Sequence, residues 1–122
     1  MSENWTDLEN SIIVNDYFNM LTEELTNLKY NKTNHRNTII PLLNERKKGS
    51  VEYKHQNISA VLAEMGLPFI DGYKPAYKFQ LTLTQAVDKY LRKNPELETL
   101  FKQFSDIVPA SKEVEFSKWS II

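Results

Sequence analysis

The chain has 122 residues, of which 41% are hydrophobic and 25% charged, and this composition predicts a single globular domain with its own core. It contains no cysteine, which excludes disulfides, thiolate catalysis and thiolate metal sites. No apolar run approaches the roughly 20 residues that a membrane span requires, and the first residues lack the pattern of a secretory signal. We therefore expect a cytoplasmic protein that is not inserted in a membrane.

The formal net charge of −1 conceals a strong polarisation along the chain. Residues 1–28 contain six acidic side chains and no lysine or arginine, whereas residues 29–54 contain seven basic side chains and two acidic ones. Such asymmetry favours a surface that faces a polyanion. A solvated basic loop is the alternative interpretation, and charge alone does not separate the two.

The spacing of apolar residues predicts an all-α fold, a compact bundle of about five helices. The first helix is expected from Thr6 to Glu24, because Thr6 and Glu9 form a capping-box pattern and Trp5 suits a hydrophobic staple. Its inward residues are expected to be Leu8, Ile12, Phe18, Leu21 and Leu25.

A second helix is expected to begin near residues 33–34, and Pro41 either kinks it or begins a separate short helix. Gly49 then suits a left-handed turn and Ser50 an N-cap, so that a third helix over residues 51–65 ends at the next glycine. A helix, a short glycine-containing turn and a second helix make up a helix-turn-helix-like unit.

A loop over residues 67–77 is expected before a fourth helix at about 79–92, and a fifth helix follows Asn94-Pro95. We expect the helical domain to cover residues 1–108. Residues 109–122 are expected to form an irregular C-terminal tail or a linker to a further domain.

The third helix is the most informative element of the sequence. One of its stripes is expected to face the core, with a histidine among its members Val51, His55, Ile58, Leu62 and Met65. The opposite stripe is expected to face solvent; it consists of Tyr53, Gln56, Asn57, Ala60 and Glu64. The amides of Gln56 and Asn57 suit an adenine edge in a major groove, which favours a recognition helix. An ordinary solvated helix face is the alternative.

We therefore predict a DNA-binding surface on and around this helix. Basic groups near a helix N-terminus bind phosphate, and the alternation of aromatic and basic residues over 73–78 suits stacked bases with backbone contacts. The predicted site residues are Lys32, His35, Arg36, Lys47, Lys48, Tyr53, Lys54, Gln56, Asn57, Tyr73 and Lys74. The alternatives are a capped, solvated end of the second helix and aromatic residues that close the core while the lysines point to water.

Enzyme activity is not expected from this sequence. It has two histidines, no cysteine, no glycine-rich phosphate loop and none of the zinc-protease or serine-nucleophile signatures. We predict no catalytic residue, no metal ligand and no cofactor. Small-ligand binding near His35, Tyr73 and Tyr77 is the least favoured alternative.

A family resemblance covers about residues 4–92. It is carried by Trp5, by the Tyr17-Phe18 pair and by the strings at 30–32, 35–36, 42–46, 49–62, 66–70 and 72–75. The most specific string is Glu-Tyr-Lys-His-Gln-Asn-Ile-Ser-Ala-Val-Leu at residues 52–62. These residues resemble the N-terminal module of bacterial restriction or phage-defence proteins, some of which carry HNH nuclease domains. The resemblance implies a targeting or sensing domain placed before an effector.

The leading hypothesis is thus a DNA-binding, targeting module of a bacterial restriction or defence-type system, with residues 51–65 as the recognition helix. Its expected partners are DNA and an effector domain or subunit. The alternative is a protein-interaction or assembly module without nucleic-acid binding, which the acidic first helix and Trp119 favour.

Overall fold

Five α-helices and one short 3-10 helix make up residues 4–105, the part of the chain that the structure, a computed structural model, describes. They are α1 (Asp7–Leu25), α2 (Lys32–Ile39), the 3-10 helix (Ile40–Leu42), α3 (Lys48–Glu64), α4 (Leu81–Lys93) and α5 (Glu96–Ser105). The all-α prediction is confirmed over this range, which contains no strand. None of the described helices is long and apolar enough to cross a bilayer. The predicted tail, residues 109–122, lies outside the described residues.

Side-chain caps define where α1 and α2 begin. The Glu9 amide donates to Thr6 Oγ1 over 3.1 Å and the Thr6 amide donates to Glu9 Oε1 over 3.0 Å, so the predicted capping box is present. Asn31 caps α2 by accepting a hydrogen bond from the Asn34 amide. Pro41 lies in the 3-10 helix, which confirms a separate short helix and not a kink.

The turn before α3 differs from the predicted one. The helix already begins at Lys48, with Lys47 at the N-cap position, so Gly49 and Ser50 belong to its first turn and the turn assignment for both is wrong. The left-handed residue of this connection is Glu45, at φ 55°. Its amide donates to the Leu43 carbonyl, which closes the turn before the glycine is reached. Gly66, at φ 72°, follows the end of α3 as expected.

Helix α3 lies at the centre of the fold. Its predicted apolar stripe is buried at every position. Of the opposite stripe, Asn57 and Ala60 are buried, whereas Tyr53 and Glu64 are exposed. Helix α1 packs on α3 through Tyr17, whose hydroxyl lies 2.7 Å from Ser59 Oγ and accepts a hydrogen bond from the Ile70 amide. Such a helix, surrounded by protein along most of its length, is a core element of the domain.

The rest of the core joins α1 to α4 and α5. Phe18 of α1 stacks on Tyr90 of α4, with ring centroids 4.8 Å apart, and Phe101 of α5 packs beside Phe18. Leu8, which was predicted to face inward, is 70% exposed. It lies in the first turn of α1, where no described element covers that face.

A buried ion pair joins the start of α1 to the turn before α3. Both carboxylate oxygens of Glu9 accept hydrogen bonds of 2.8 Å from the Arg46 guanidinium, and the Asn44 amide donates to Glu9 Oε2. Trp5 does not act as a simple apolar staple, because Arg46 and Lys54 both lie over its ring, at 4.8 and 4.9 Å from the centroid. The hydrogen bond from Arg46 is the main reason why the pKa of Glu9 falls to about 2.

We predict that Arg46→Ala lowers the free energy of unfolding by about 3–5 kcal/mol at pH 7, because it leaves the Glu9 carboxylate buried without its cation. The stabilisation by this carboxylate is complete above pH 4.5 and is lost as the pH falls toward 2, since the folded-state pKa is depressed. The variant should therefore lose less stability than the wild type over that interval. Urea unfolding followed by circular dichroism measures both effects. Arg92→Ala, which breaks an exposed pair with Asp88, is the control and should cost less than about 0.5 kcal/mol.

Candidate nucleic-acid interface

Two of the predicted site residues, His35 and Arg36, form a polar junction where α1, α2 and α3 meet. His35 of α2 lies between two carboxylates of α1, with Nδ1 2.7 Å from Asp16 Oδ1 and Nε2 3.2 Å from Glu23 Oε1. Arg36, in the next position, pairs with Glu52 of α3 at 3.3 Å. These contacts hold α2 against the bundle, since Ile39 is the only fully buried residue of that helix.

Two residues complete the inner side of this junction. His55 of α3 is fully buried, as predicted, and its ring stacks on Tyr73 with centroids 4.7 Å apart. Burial, and then the positive charges of His35, Arg36 and Lys32, lower the pKa of His55 to about 3, so its imidazole is neutral. Burial also raises the pKa of Asp16.

The second histidine of the junction, His55, does not form a hydrogen bond with a carboxylate among the described residues. His55 Nε2 lies 4.0 Å from Asp16 Oδ2, beyond hydrogen-bonding distance, and among residues 4–105 no group of three or more metal-binding side chains converges. His35 and Arg36 are therefore placed where they hold helices together. Their predicted contact with phosphate would compete with Asp16 and Glu52.

The amide face of α3 differs most from the prediction. Asn57 is 2% exposed, and its Nδ2 donates to the carbonyls of Ala76 and Lys78 over 2.6 and 3.2 Å. The neighbouring Gln56 is half-buried, and its backbone carbonyl accepts a hydrogen bond from the Ala76 amide. The expectation that these amides stand in solvent and read base edges is therefore wrong for Asn57. Its side chain fixes the loop that precedes α4, because a buried amide must satisfy its donors.

Two further predicted cations also contact aromatic rings of the protein. Lys54 is buried and lies on Trp5, and its pKa is lowered by burial and by the nearby Arg46. The Lys32 ammonium lies 5.0 Å from the ring centroid of Tyr73. Tyr73 is itself buried, so the alternative that this aromatic closes the core is confirmed, and neither Lys54 nor Tyr73 is exposed for a ligand.

The remaining predicted residues are exposed, together with two that the prediction omitted, and they lie at the start of α3 and in the loop before α4. Tyr53 is 43% exposed and its hydroxyl donates to the Lys78 carbonyl over 3.4 Å, which brings the first turns of α3 beside the loop before α4. Tyr77 is 59% exposed. We call this region the basic-aromatic surface; it comprises Lys47, Lys48, Tyr53, Lys74, Tyr77 and Lys78.

Its omitted members, Tyr77 and Lys78, belong to the same aromatic-basic alternation that contains Tyr73 and Lys74. That pattern could have indicated all four, but it does not show which aromatic turns inward. The structure assigns Tyr73 to the core, against His55, and Tyr77 to the outside.

The first turn of α3 forms one end of the basic-aromatic surface. Among residues 4–105 no side chain caps its N-terminus, where the exposed Lys47 and Lys48 lie. A Cβ atom placed on Gly49 would meet no atom within 4 Å, so the approach to the backbone amides of this turn is open. Tyr53 follows Lys48 by about 7–8 Å along the helix axis, at 1.5 Å per residue.

A search among protein-family models, curated proteins and solved structures found nothing that matches this chain. The resemblance of residues 4–92 to restriction or defence-type modules thus stays an expectation. The role of the basic-aromatic surface has to follow from its own geometry and chemistry.

We predict that Asn57→Ala costs about 1–3 kcal/mol of stability, because it leaves the carbonyls of Ala76 and Lys78 without their donor. The Ala76 amide should then exchange faster with deuterium, since the loop is released from α3. Gln56→Ala is the matched control: its contact with the loop is through the backbone, so exchange at Ala76 should stay at the wild-type rate. Unchanged exchange in Asn57→Ala would contradict the anchoring role.

Proposed function

We propose that this domain is a nucleic-acid-binding module that serves DNA targeting in a bacterial restriction or defence-type protein. In this proposal it binds the phosphate backbone with the first turn of α3 and the lysines around it. The observation that carries the proposal is the uncapped N-terminus of α3, flanked by the exposed Lys47 and Lys48 and followed by the exposed Tyr53.

Free amides at a helix N-terminus and the positive end of the helix dipole favour a phosphate group. Lysine side chains add a positive charge that positions a nucleic acid without reading its sequence. Among residues 4–105, Lys47, Lys48, Lys74 and Lys78 form no ion pair, in contrast to Arg36 and Arg46. The four lysines are therefore available to phosphates. Arg36 and Arg46 would first have to break an ion pair within the protein.

This binding mode replaces the one expected from the sequence. A recognition helix needs a free polar face along several turns to enter a major groove. In α3, Asn57 and Ala60 are covered by protein, so the polar face is interrupted in the middle of the helix. The proposed contact is therefore with the backbone of the nucleic acid.

A second candidate function is a protein-interaction module, and it has a separate location. A groove of about 240 Å³ lies between α1 and α4, lined by residues that include Asp7, Ser11, Thr82 and Gln85. Leu8 and Leu81, each adjacent in sequence to a lining residue, are 70% and 69% exposed. Exposed leucines beside a groove favour contact with an effector domain or subunit. Sedimentation of Leu8→Ser/Leu81→Ser against the wild type would detect self-association through this groove.

We predict that the full chain binds a DNA duplex with an affinity that falls steeply between 50 and 200 mM salt, because binding releases counterions from phosphates. Lys47→Gln/Lys48→Gln should weaken binding and reduce the slope of log affinity against log salt by about 2, since each lysine neutralises about one phosphate. Fluorescence anisotropy with a labelled duplex measures both.

The control is Lys89→Gln/Lys93→Gln, which removes the same charge from the groove between α1 and α4. It should leave the salt slope within error of the wild type. Equal losses in the two double variants would mean that net charge alone governs binding. The absence of binding to any nucleic acid at 50 mM salt would overturn the proposed function.

A further inference from the structure

We propose that the basic-aromatic surface binds unstacked bases of a single-stranded nucleic acid, with the rings of Tyr53 and Tyr77 as stacking platforms. This inference rests on the proposed function and specifies the form of nucleic acid that the surface takes.

Tyr77 lies in a loop segment that is held against α3. Its two chain neighbours are both held by Asn57, whose amide donates to the carbonyls of Ala76 and Lys78. The Ala76 amide is held by the Gln56 carbonyl, so the backbone on either side of Tyr77 is tied to the central helix. The Tyr77 side chain projects from this fixed segment and is 59% exposed. A ring presented in this way loses little conformational freedom on binding a ligand, which favours affinity.

Tyr53 is the second exposed tyrosine of the basic-aromatic surface. Tyr53 stands on α3, itself a core element, and its hydroxyl contacts the Lys78 carbonyl, directly after Tyr77. The two exposed tyrosines are therefore close in the fold, one on α3 and one in the loop segment that contacts it. A tyrosine ring offers an apolar face that stacks on a base, and such stacking tolerates any base sequence.

Exposed lysines accompany the two tyrosines of the basic-aromatic surface. Lys74 and Lys78 are exposed beside Tyr77, and Lys47 and Lys48 lie near the start of the helix that carries Tyr53. Glu52, the acidic residue that directly precedes Tyr53 in α3, is paired with Arg36. Rings interleaved with cations match a ligand whose bases alternate with phosphates, and this pattern is typical of single-strand binding surfaces. Charge complementarity therefore selects a polyanion over an apolar protein partner.

A single strand and a duplex differ in whether the faces of their bases are accessible to a protein. In a duplex the faces of the bases are stacked on each other, and only their edges are open in the grooves. The helix that carries Tyr53 has Asn57 and Ala60 buried, so it lacks the free face over several turns that insertion into a major groove needs. The rings can reach base faces only where the strand is unpaired, for example at an end or a displaced strand.

The test compares a 15-nucleotide oligothymidylate with an abasic strand of the same length and charge, both bound to the full chain at 50 mM salt. Wild-type protein should prefer the strand that carries bases by about 5- to 140-fold, which corresponds to about 1–3 kcal/mol at 1.4 kcal/mol per factor of ten. Tyr77→Ala should reduce this preference at least threefold without changing affinity for the abasic strand. Tyr77→Phe keeps the ring and should keep the preference.

The outcomes separate this inference from the proposed function. The protein could bind both strands with equal affinity, and Lys47→Gln/Lys48→Gln could lower both affinities. That result would overturn the stacking inference and leave the proposed phosphate binding intact. A preference for a 15-base-pair duplex over the single strand would overturn it as well. Absence of binding to every oligonucleotide would overturn both proposals. Self-association of the protein alone that Tyr77→Ala abolishes would assign this surface to a protein interface and overturn the inference.

Discussion

The burial of α3 beyond its first turns is the constraint on which the rest of the structure depends. Its apolar stripe, with Ile58 and Leu62, packs into the core, and its opposite stripe is closed by the loop that Asn57 holds. Tyr17 joins the same helix to α1 through Ser59. Because the middle of α3 is buried, its exposed side chains lie toward its two ends, with Glu64 in the last turn. A polyanion that binds this helix is therefore expected at the N-terminal end, where the lysines lie. The basic-aromatic surface lies at that end.

The basic residues around the start of α3 fall into two groups, those in internal contacts and those exposed to solvent. Arg46 and Lys54 lie on the ring of Trp5, and Arg46 also neutralises the buried Glu9, so these charges hold the start of α1 to the turn before α3. Lys47 and Lys48, adjacent to Arg46 in the sequence, point away from this contact and remain exposed. Buried charges must be paired, whereas exposed lysines cost little and stay available to an external anion.

The polar junction has a structural role beside this surface. His35, held between Asp16 and Glu23, and Arg36, paired with Glu52, attach a short helix that contributes little apolar area. His55 stays neutral beneath them because burial and nearby cations both disfavour its protonation. The face that carries α2 is therefore stabilised by internal polar contacts, whereas the lysines of the basic-aromatic surface are exposed.

The sequence by itself determined the helical class, the capping box at Thr6 and Glu9 and the inward stripe of α3 with His55, because caps and periodic apolar residues act over a few neighbouring positions. It left open whether Pro41 kinks α2 or begins a separate short helix, and the structure decided for the short helix. Only the tertiary structure decided which polar residues face solvent. Asn57 and Tyr73 are buried whereas Tyr77 is exposed, and this depends on a loop some 20 residues away in sequence that folds onto α3. Periodicity describes the faces of one helix, whereas burial is set by what packs against each face, and no local pattern carries that information.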